Sequence, residues 1–333
     1  MTTQRANPFA IAFVVLAAAA AIVVWWGPWR TPDDQQQHQD TKPLTEEDIE
    51  QRRIDLAGRV ARYAPAKPGD LNDLAAPLVS ILRGLPGVVR VDATPATTKA
   101  GRRVLIHVLD FHFVPQDLLA KDGRTDWEAF LLEVEAVQLD QAAALECLAQ
   151  HHGLKRVLVE GLTDNDMPLV PDKVSRLRIA KAHQPALKAQ LAEVRTLIQQ
   201  NRSAIERQKE AVALERQIVG MIAYHRAEAL EMGAAVRLVA LGRLDAVLPL
   251  DDAKLLDAAG PNLPGGKQDS AAIADREAAM VKKSLAAGPV AVIICGGAHD
   301  LSAAVLSADQ TAEYIRVATR GYVEAVRGGG ELK

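Results

Sequence analysis

Four polar residues stand where apolar runs give out. Asp110 and His112 close the stretch VLIHVLDFHF, Glu160 closes VLVEG, and His299 follows Gly296 by three residues in VIICGGAHD. Two imidazoles and two carboxylates suit a borderline divalent ion such as zinc, manganese or cobalt, which makes His112, His299, Asp110 and Glu160 candidate metal ligands. Without an ion, the same groups can divide the work of orienting a nucleophile and accepting its proton, with Glu160 and Asp110 as the catalytic acid and base. Asp110 and His112 are two apart, so in extended backbone they face one side. A carboxylate at the end of a buried strand is costly unless paired, which makes Asp110 and Glu160 informative. For any one of these residues alone, a satisfied hydrogen bond at a sheet edge is the better explanation. Their joint placement at three strand ends is what points to a site.

The remaining candidates are weaker. His107 lies deeper in its strand and reads as a hydrogen-bonded core histidine. His151 and His152 end a helix just before Gly153, where a cation suits the dipole. Tyr224 and His225 read as surface residues of a long helical segment. Cys295 reads as a small buried hydrophobe, with thiolate ligation or nucleophilicity as the alternative, and Cys147 reads as core. Arg276 is assigned to an anionic substrate or to an acid such as Asp275. Gly265-Gly266-Lys267-Gln268 is no phosphate loop, since Pro261 replaces the first glycine and Gln268 lacks a hydroxyl. No Gly-x-Ser-x-Gly elbow, His-Glu-x-x-His pair or Gly-x-Gly-x-x-Gly loop is present.

The elements that must position these residues alternate strand and helix. Thr45 with Asp48 forms a capping-box pattern, after which Ile49, Leu56 and Val60 share one helical face as far as Tyr63. A second short helix is expected over Leu71–Leu82. VVRVDA and VLIHVLDF read as strands. Asp126 caps a helix carrying Trp127, Phe130, Val134, Val137, Leu145 and Leu148 as far as Gly153, and the strand KRVLVEG follows. Residues 172–232 read as a polar helical excursion, most simply a packed hairpin turning near Asn201–Ser203 and bent at Pro185, with covering the sheet, pairing between subunits of an oligomer and acting as a lid as the roles open to it. Then come AVRLVAL, DAVLPL, the loop GPNLPGG, a helix around Ala271–Leu285, the strand PVAVIICGG, a short helix from His299 and EYIRVATR. Strands this apolar between amphipathic helices predict an α/β fold with a mainly parallel sheet covered on both faces.

The totals fit that class. The chain has 333 residues, 24% charged, with 39 basic against 42 acidic side chains, which gives no electrostatic case for nucleic acid. Two cysteines cannot build a disulfide framework or a four-cysteine zinc site. From Pro8 to Trp26 no residue is charged, and Trp25, Trp26 and Trp29 cluster at one end. Such a run is long enough to cross most of a ~30 Å hydrocarbon core, and indoles favour its interface. Residues 1–30 are therefore expected to be a single-pass anchor in the lipid bilayer, uncleaved for want of a small-x-small site. Arg5 and the terminal amine predict a cytoplasmic N-terminus and an exported bulk. Residues 31–46, including His38, read as a flexible tether, and 47–325 as one α/β domain.

A strand ending in acid-x-His, a later strand ending in Glu and a late Gly-x-x-His resemble the Tiki, TraB, ChaN-like and erythromycin-esterase-like superfamily. Asp110 and His112 take its Glu and His positions, Glu160 the internal Glu, and Gly296 with His299 the late motif. Asp275-Arg276-Glu277-Ala278-Ala279-Met280 resembles the Arg-containing helix before its last strand. The match covers about residues 100–305, with Asp110 in place of the usual Glu and Leu109 in place of the usual Gly. The resemblance implies a metal-dependent hydrolase acting on an ester or amide of a small molecule or peptide, with Arg276 steadying the substrate. The alternative it admits is a haem or tetrapyrrole binder held by His112 or His299, or a non-catalytic binding protein.

Overall fold

The computed structural model describes residues 43–65, 70–73, 77–98, 102–121, 126–200, 205–260 and 269–328. The expected anchor and all but the last residues of the tether lie outside them, and no described helix is long and apolar enough to cross a membrane.

The strands are β1 (Val88–Thr94), β2 (Arg103–Asp110), β3 (Arg156–Val159), β4 (Ala246–Pro249), β5 (Val290–Gly296) and β6 (Ala312–Thr319). The first helices are α1 (Glu46–Arg62), α2 (Leu78–Gly84), α3 (Gln116–Lys121), α4 (Trp127–His152), α5 (Val170–Gln200) and α6 (Ile205–Glu231). They are followed by α7 (Gly233–Ala240), α8 (Ala253–Ala258), α9 (Ser270–Ala286), α10 (Ser302–Ala308) and α11 (Arg320–Gly328).

One sheet takes the order β1-β6-β2-β5-β3-β4. Only β1 runs against its neighbour; the pairs β6–β2, β2–β5, β5–β3 and β3–β4 are parallel. The sheet is mainly parallel, as the apolar strands demand, because such strands must be covered on both faces. In β2 every residue from Val104 to Leu109 is buried. Val104, Ile106 and Val108 join Val292, Ile294, Ile315 and Val317 against Leu145, Leu148, Val236 and Leu238 of α4 and α7. On the other face Leu105, Leu158, Ile293, Cys295 and Tyr314 meet Met280, Val281, Leu285 and Val305 of α9 and α10. Each buried aliphatic side chain contributes about 1.5–3 kcal/mol, so the two layers fix the sheet's position.

Local signals act as their chemistry requires. The Thr45–Asp48 capping box opens α1, whose Ile49 and Leu56 pack on Leu132, Ala136, Leu139 and Ala143 of α4. The Asp126 carboxylate accepts from the Ala129 N–H at 2.9 Å, and α4 stops at Gly153 with φ +73°. AVRLVAL forms α7, whereas DAVLPL supplies β4. The excursion is two helices packed on each other, and its turn at 201–204 lies outside the described residues. The expected bend at Pro185 does not interrupt α5, which is helical on both sides of it. Residues 181–186 are exposed, so the carbonyl that proline leaves without a donor faces water.

Candidate functional site

The strands β2, β5, β3 and β4 are consecutive in the sheet and parallel, so their carboxyl ends share one rim. Asp110 ends β2, opposite Gly296, which ends β5. Glu160 follows β3, and Asp251 follows β4. Open α/β sheets form their sites outside such ends.

Glu160 is the centre and is buried. Its Oε2 accepts from the Gly296 N–H at 2.6 Å and lies 2.9 Å from His112 Nε2. Its Oε1 accepts from Arg276 Nη2 at 2.8 Å and lies 3.2 Å from His299 Nε2. Each imidazole is held from behind by a second carboxylate. His112 Nδ1 is 2.9 Å from Asp110 Oδ2, and His299 Nδ1 is 2.7 Å from Glu277 Oε1. Gln141, reaching in from α4, donates from Nε2 to Asp110 Oδ1 at 2.7 Å. Arg276 donates from Nε to Asp251 Oδ1 at 2.6 Å, and Asp251 Oδ2 also accepts from the Gly161 N–H at 2.7 Å.

The glycines are dictated by close approach. A Cβ on Gly296 would lie 2.6 Å from His112 Nε2, and one on Gly297 would lie 1.8 Å from the Tyr322 hydroxyl. Neither space admits a methyl group. The bare Gly296-Gly297 turn therefore lets His112 dock on Glu160 while the same loop delivers His299.

The electrostatics follow from burial and pairing. Burial alone would lower His112, but Glu160 and Asp110 outweigh it and raise its pKa to about 10. Burial likewise opposes protonation of His299, and Glu160 with Glu277 lift it to about 9. Burial would raise Glu160; the two imidazoliums overcome this and hold it well below the usual carboxylate range. Arg276 stays charged despite burial because Glu160 and Asp251 face it. The Cys295 thiol is pushed up, first by burial and then by Glu160.

The structure thus gathers His112, Arg276 and His299 around the Glu160 carboxylate, with Asp110 behind His112. His112 and His299 approach different oxygens of Glu160. Among the described residues, the group whose donor atoms lie within 4.8 Å of one another is Glu160, Cys295 and His299, a metal-capable triad. Cys295, read from sequence chiefly as a buried hydrophobe, therefore stands among the ligand candidates, and Asp110 stands behind His112. The Arg276 side chain is only 7% exposed and tied to two carboxylates, which fits the orienting of Glu160 rather than contact with substrate. His107 is the core residue expected, hydrogen-bonded to the Tyr314 hydroxyl at 2.7 Å and near the Cys295 carbonyl oxygen at 3.0 Å. Burial lowers its pKa to about 3.

Asp251 and Gln141 went unmarked by sequence reasoning, and Glu277 was named only as part of the helix that carries Arg276. Asp251 ends LPLD as Glu160 ends VLVE, so the same strand-end signal was present. Glu277 adjoins Arg276. Gln141 lies within a long helix and carries no signal of its own. Comparisons with protein-family models, curated proteins and solved structures find no match, so the chemistry of the site alone bears on function.

Proposed function

We propose that this chain is a membrane-tethered member of the Tiki, TraB, ChaN-like and erythromycin-esterase-like group that hydrolyses an ester or amide with a divalent transition ion. The observation that carries this is the pair of carboxylate–imidazole arms converging on Glu160. Each histidine has its Nδ1 fixed by a carboxylate and its Nε2 aimed at the same acid, the orientation that metal-binding histidines require. The donor set of imidazole, carboxylate and thiol suits a borderline ion such as zinc or cobalt better than a hard one.

His299 Nε2, Glu160 and Cys295 Sγ would hold the ion, with His112 Nε2 on the far oxygen of Glu160. When bound, such an ion supplies a Lewis acid for the carbonyl and a water acidic enough to attack near neutral pH. The protein's own groups do the rest. Asp110 and Glu277 hold their imidazoles in one orientation. Arg276, anchored by Asp251, fixes the plane of the Glu160 carboxylate. Asp110, bonded to His112 Nδ1 with its side chain 15% exposed, would take or return a proton through His112.

The test is metal retention by the full chain in detergent. After loading with zinc, manganese or cobalt and desalting, about one ion per chain should remain, and ester or peptide hydrolysis should follow it. His299→Ala and Glu160→Gln should abolish both. A protein that retains no ion, or that shows a haem Soret band lost in His112→Ala or His299→Ala, contradicts the proposal.

A further inference from the structure

We propose that Arg316 and Tyr322 form a receptor for an anionic group, a carboxylate or a phosphate, carried by the substrate beside the Gly296-Gly297 turn. This rests on the hydrolase reading and deepens it by naming a substrate class.

Among the described residues, the three other cationic groups of the site are committed. Arg276 is held by Asp251 and Glu160, His112 by Asp110 and Glu160, and His299 by Glu160 and Glu277. Arg316 differs. From the half-buried middle of β6 it donates through Nη2 to the Gly297 carbonyl at 2.8 Å, while its Nε is buried and without a partner. Asp92 lies directly across from it in the β1–β6 register, but that carboxylate sits 3.0 Å from Arg90 Nε instead. Among the described residues no carboxylate pairs with Arg316. Buried donors are ordinarily satisfied, so a guanidinium left in this state is waiting for an acceptor.

Tyr322 meets the same glycine from α11, its hydroxyl filling the space a Cβ at Gly297 would need. Among the described residues that hydroxyl has no hydrogen-bond partner. The hydroxyl therefore lies against the same glycine whose carbonyl Arg316 holds, so the two groups meet at one turn. A planar or tetrahedral oxyanion against Arg316 would gain a charge-assisted bond and a hydroxyl donor together. The scissile bond would then lie toward Asp110 and His112.

The test is calorimetric titration of the full chain in detergent, with no metal added, using inorganic phosphate, succinate and dimethyl succinate. At least one anion should saturate a single site, and the neutral diester should not. Whichever anion binds more tightly identifies the group. Arg316→Gln should weaken binding about tenfold or more and Tyr322→Phe a few-fold, while Arg90→Gln should change it less than about twofold. Arg316→Lys keeps the charge but loses the planar fork and should still bind at least about threefold more weakly, which guards against a folding defect in the glutamine variant. Undiminished binding in Arg316→Gln or Arg316→Lys, or no saturation by either anion, overturns the proposal. Because the titration needs no ion, its failure leaves the metal reading standing, and failed metal retention leaves this binding intact.

Discussion

Replacing Gly296 with alanine tests whether His112 is locked onto Glu160. The new Cβ would sit 2.6 Å from His112 Nε2, 3.3 Å from its Cδ2 and 3.4 Å from Glu160 Oε2. Gly296 is not among the glycines with positive φ, so backbone strain does not confuse the result. Relief is available in two ways. The backbone can shift, at the roughly 1–3 kcal/mol typical of an overpacked core. Alternatively His112 can swing away and lose contacts with Asp110 and Glu160, each worth about 1.5–3 kcal/mol for a charged pair. The cheaper route sets the cost, so Gly296→Ala should destabilise the metal-free protein by about 1–3 kcal/mol. His112→Ala alone should cost about 3–5 kcal/mol, since it strips a partner from a buried carboxylate. In the double variant the obstacle is gone, so its stability should fall within about 1 kcal/mol of His112→Ala. Urea unfolding followed by circular dichroism at pH 7 with a chelator supplies the cycle. Gly220→Ala, where nothing lies within 4 Å, is the control and should be neutral or slightly stabilising. Double-variant costs that add to within about 0.5 kcal/mol would refute the lock, because only uncoupled sites are additive.

Other outcomes follow from the same geometry. Arg276→Met leaves Glu160 and Asp251 facing each other without their shared cation and should cost about 3–5 kcal/mol in urea unfolding; a loss below about 1 kcal/mol contradicts its anchoring role. Glu277→Gln should weaken zinc retention about 10–100-fold without abolishing it, read by competition with a chelating dye. The metal-free protein should lose stability as the pH rises. His112 and His299 have folded pKa values of about 10 and 9 against an ordinary 6.5, so their contribution is complete below pH 6.5 and disappears as the pH climbs through 9 to 10. At about 1.4 kcal/mol per unit the His299 shift alone is of order 3 kcal/mol, and a flat stability profile from pH 6 to 10 would contradict the pairing. His107 acts with the opposite sign, since its folded pKa of about 3 favours the neutral ring and destabilises the fold as the pH falls below 6.5. His107→Phe should flatten that acid limb of the profile.

Much of this arrangement was legible from residue types alone, because the signals were local. The Asp126 cap, the Gly153 stop and the β-branched runs of β2 and β5 each act within a few residues. The four strand-end groups were visible because polar residues interrupt apolar runs there. What the sequence hid depends on strand order. Asp251 becomes part of the site only because β4 lies beside β3, which lies beside β5, a sequence of neighbours that no local pattern encodes. Gln141 belongs to a helix that also buries Glu135, Gln138 and Asp140, so its polarity there does not single it out. Arg276 reads from sequence as a partner of a substrate or of a nearby acid such as Asp275, because its actual partners Glu160 and Asp251 come from different strand ends. Arg316 and Tyr322 carried no signal of their own, since their common neighbour Gly297 lies in the turn after β5.

The most direct test is X-ray absorption at the zinc edge on the full chain loaded with one equivalent of zinc in detergent. The account predicts an inner shell with imidazole scattering and a sulfur contribution, the first diminished in His299→Ala and the second removed in Cys295→Ser. A shell of oxygens alone, unchanged by either substitution, would place the ion elsewhere and contradict a metal centre at Glu160.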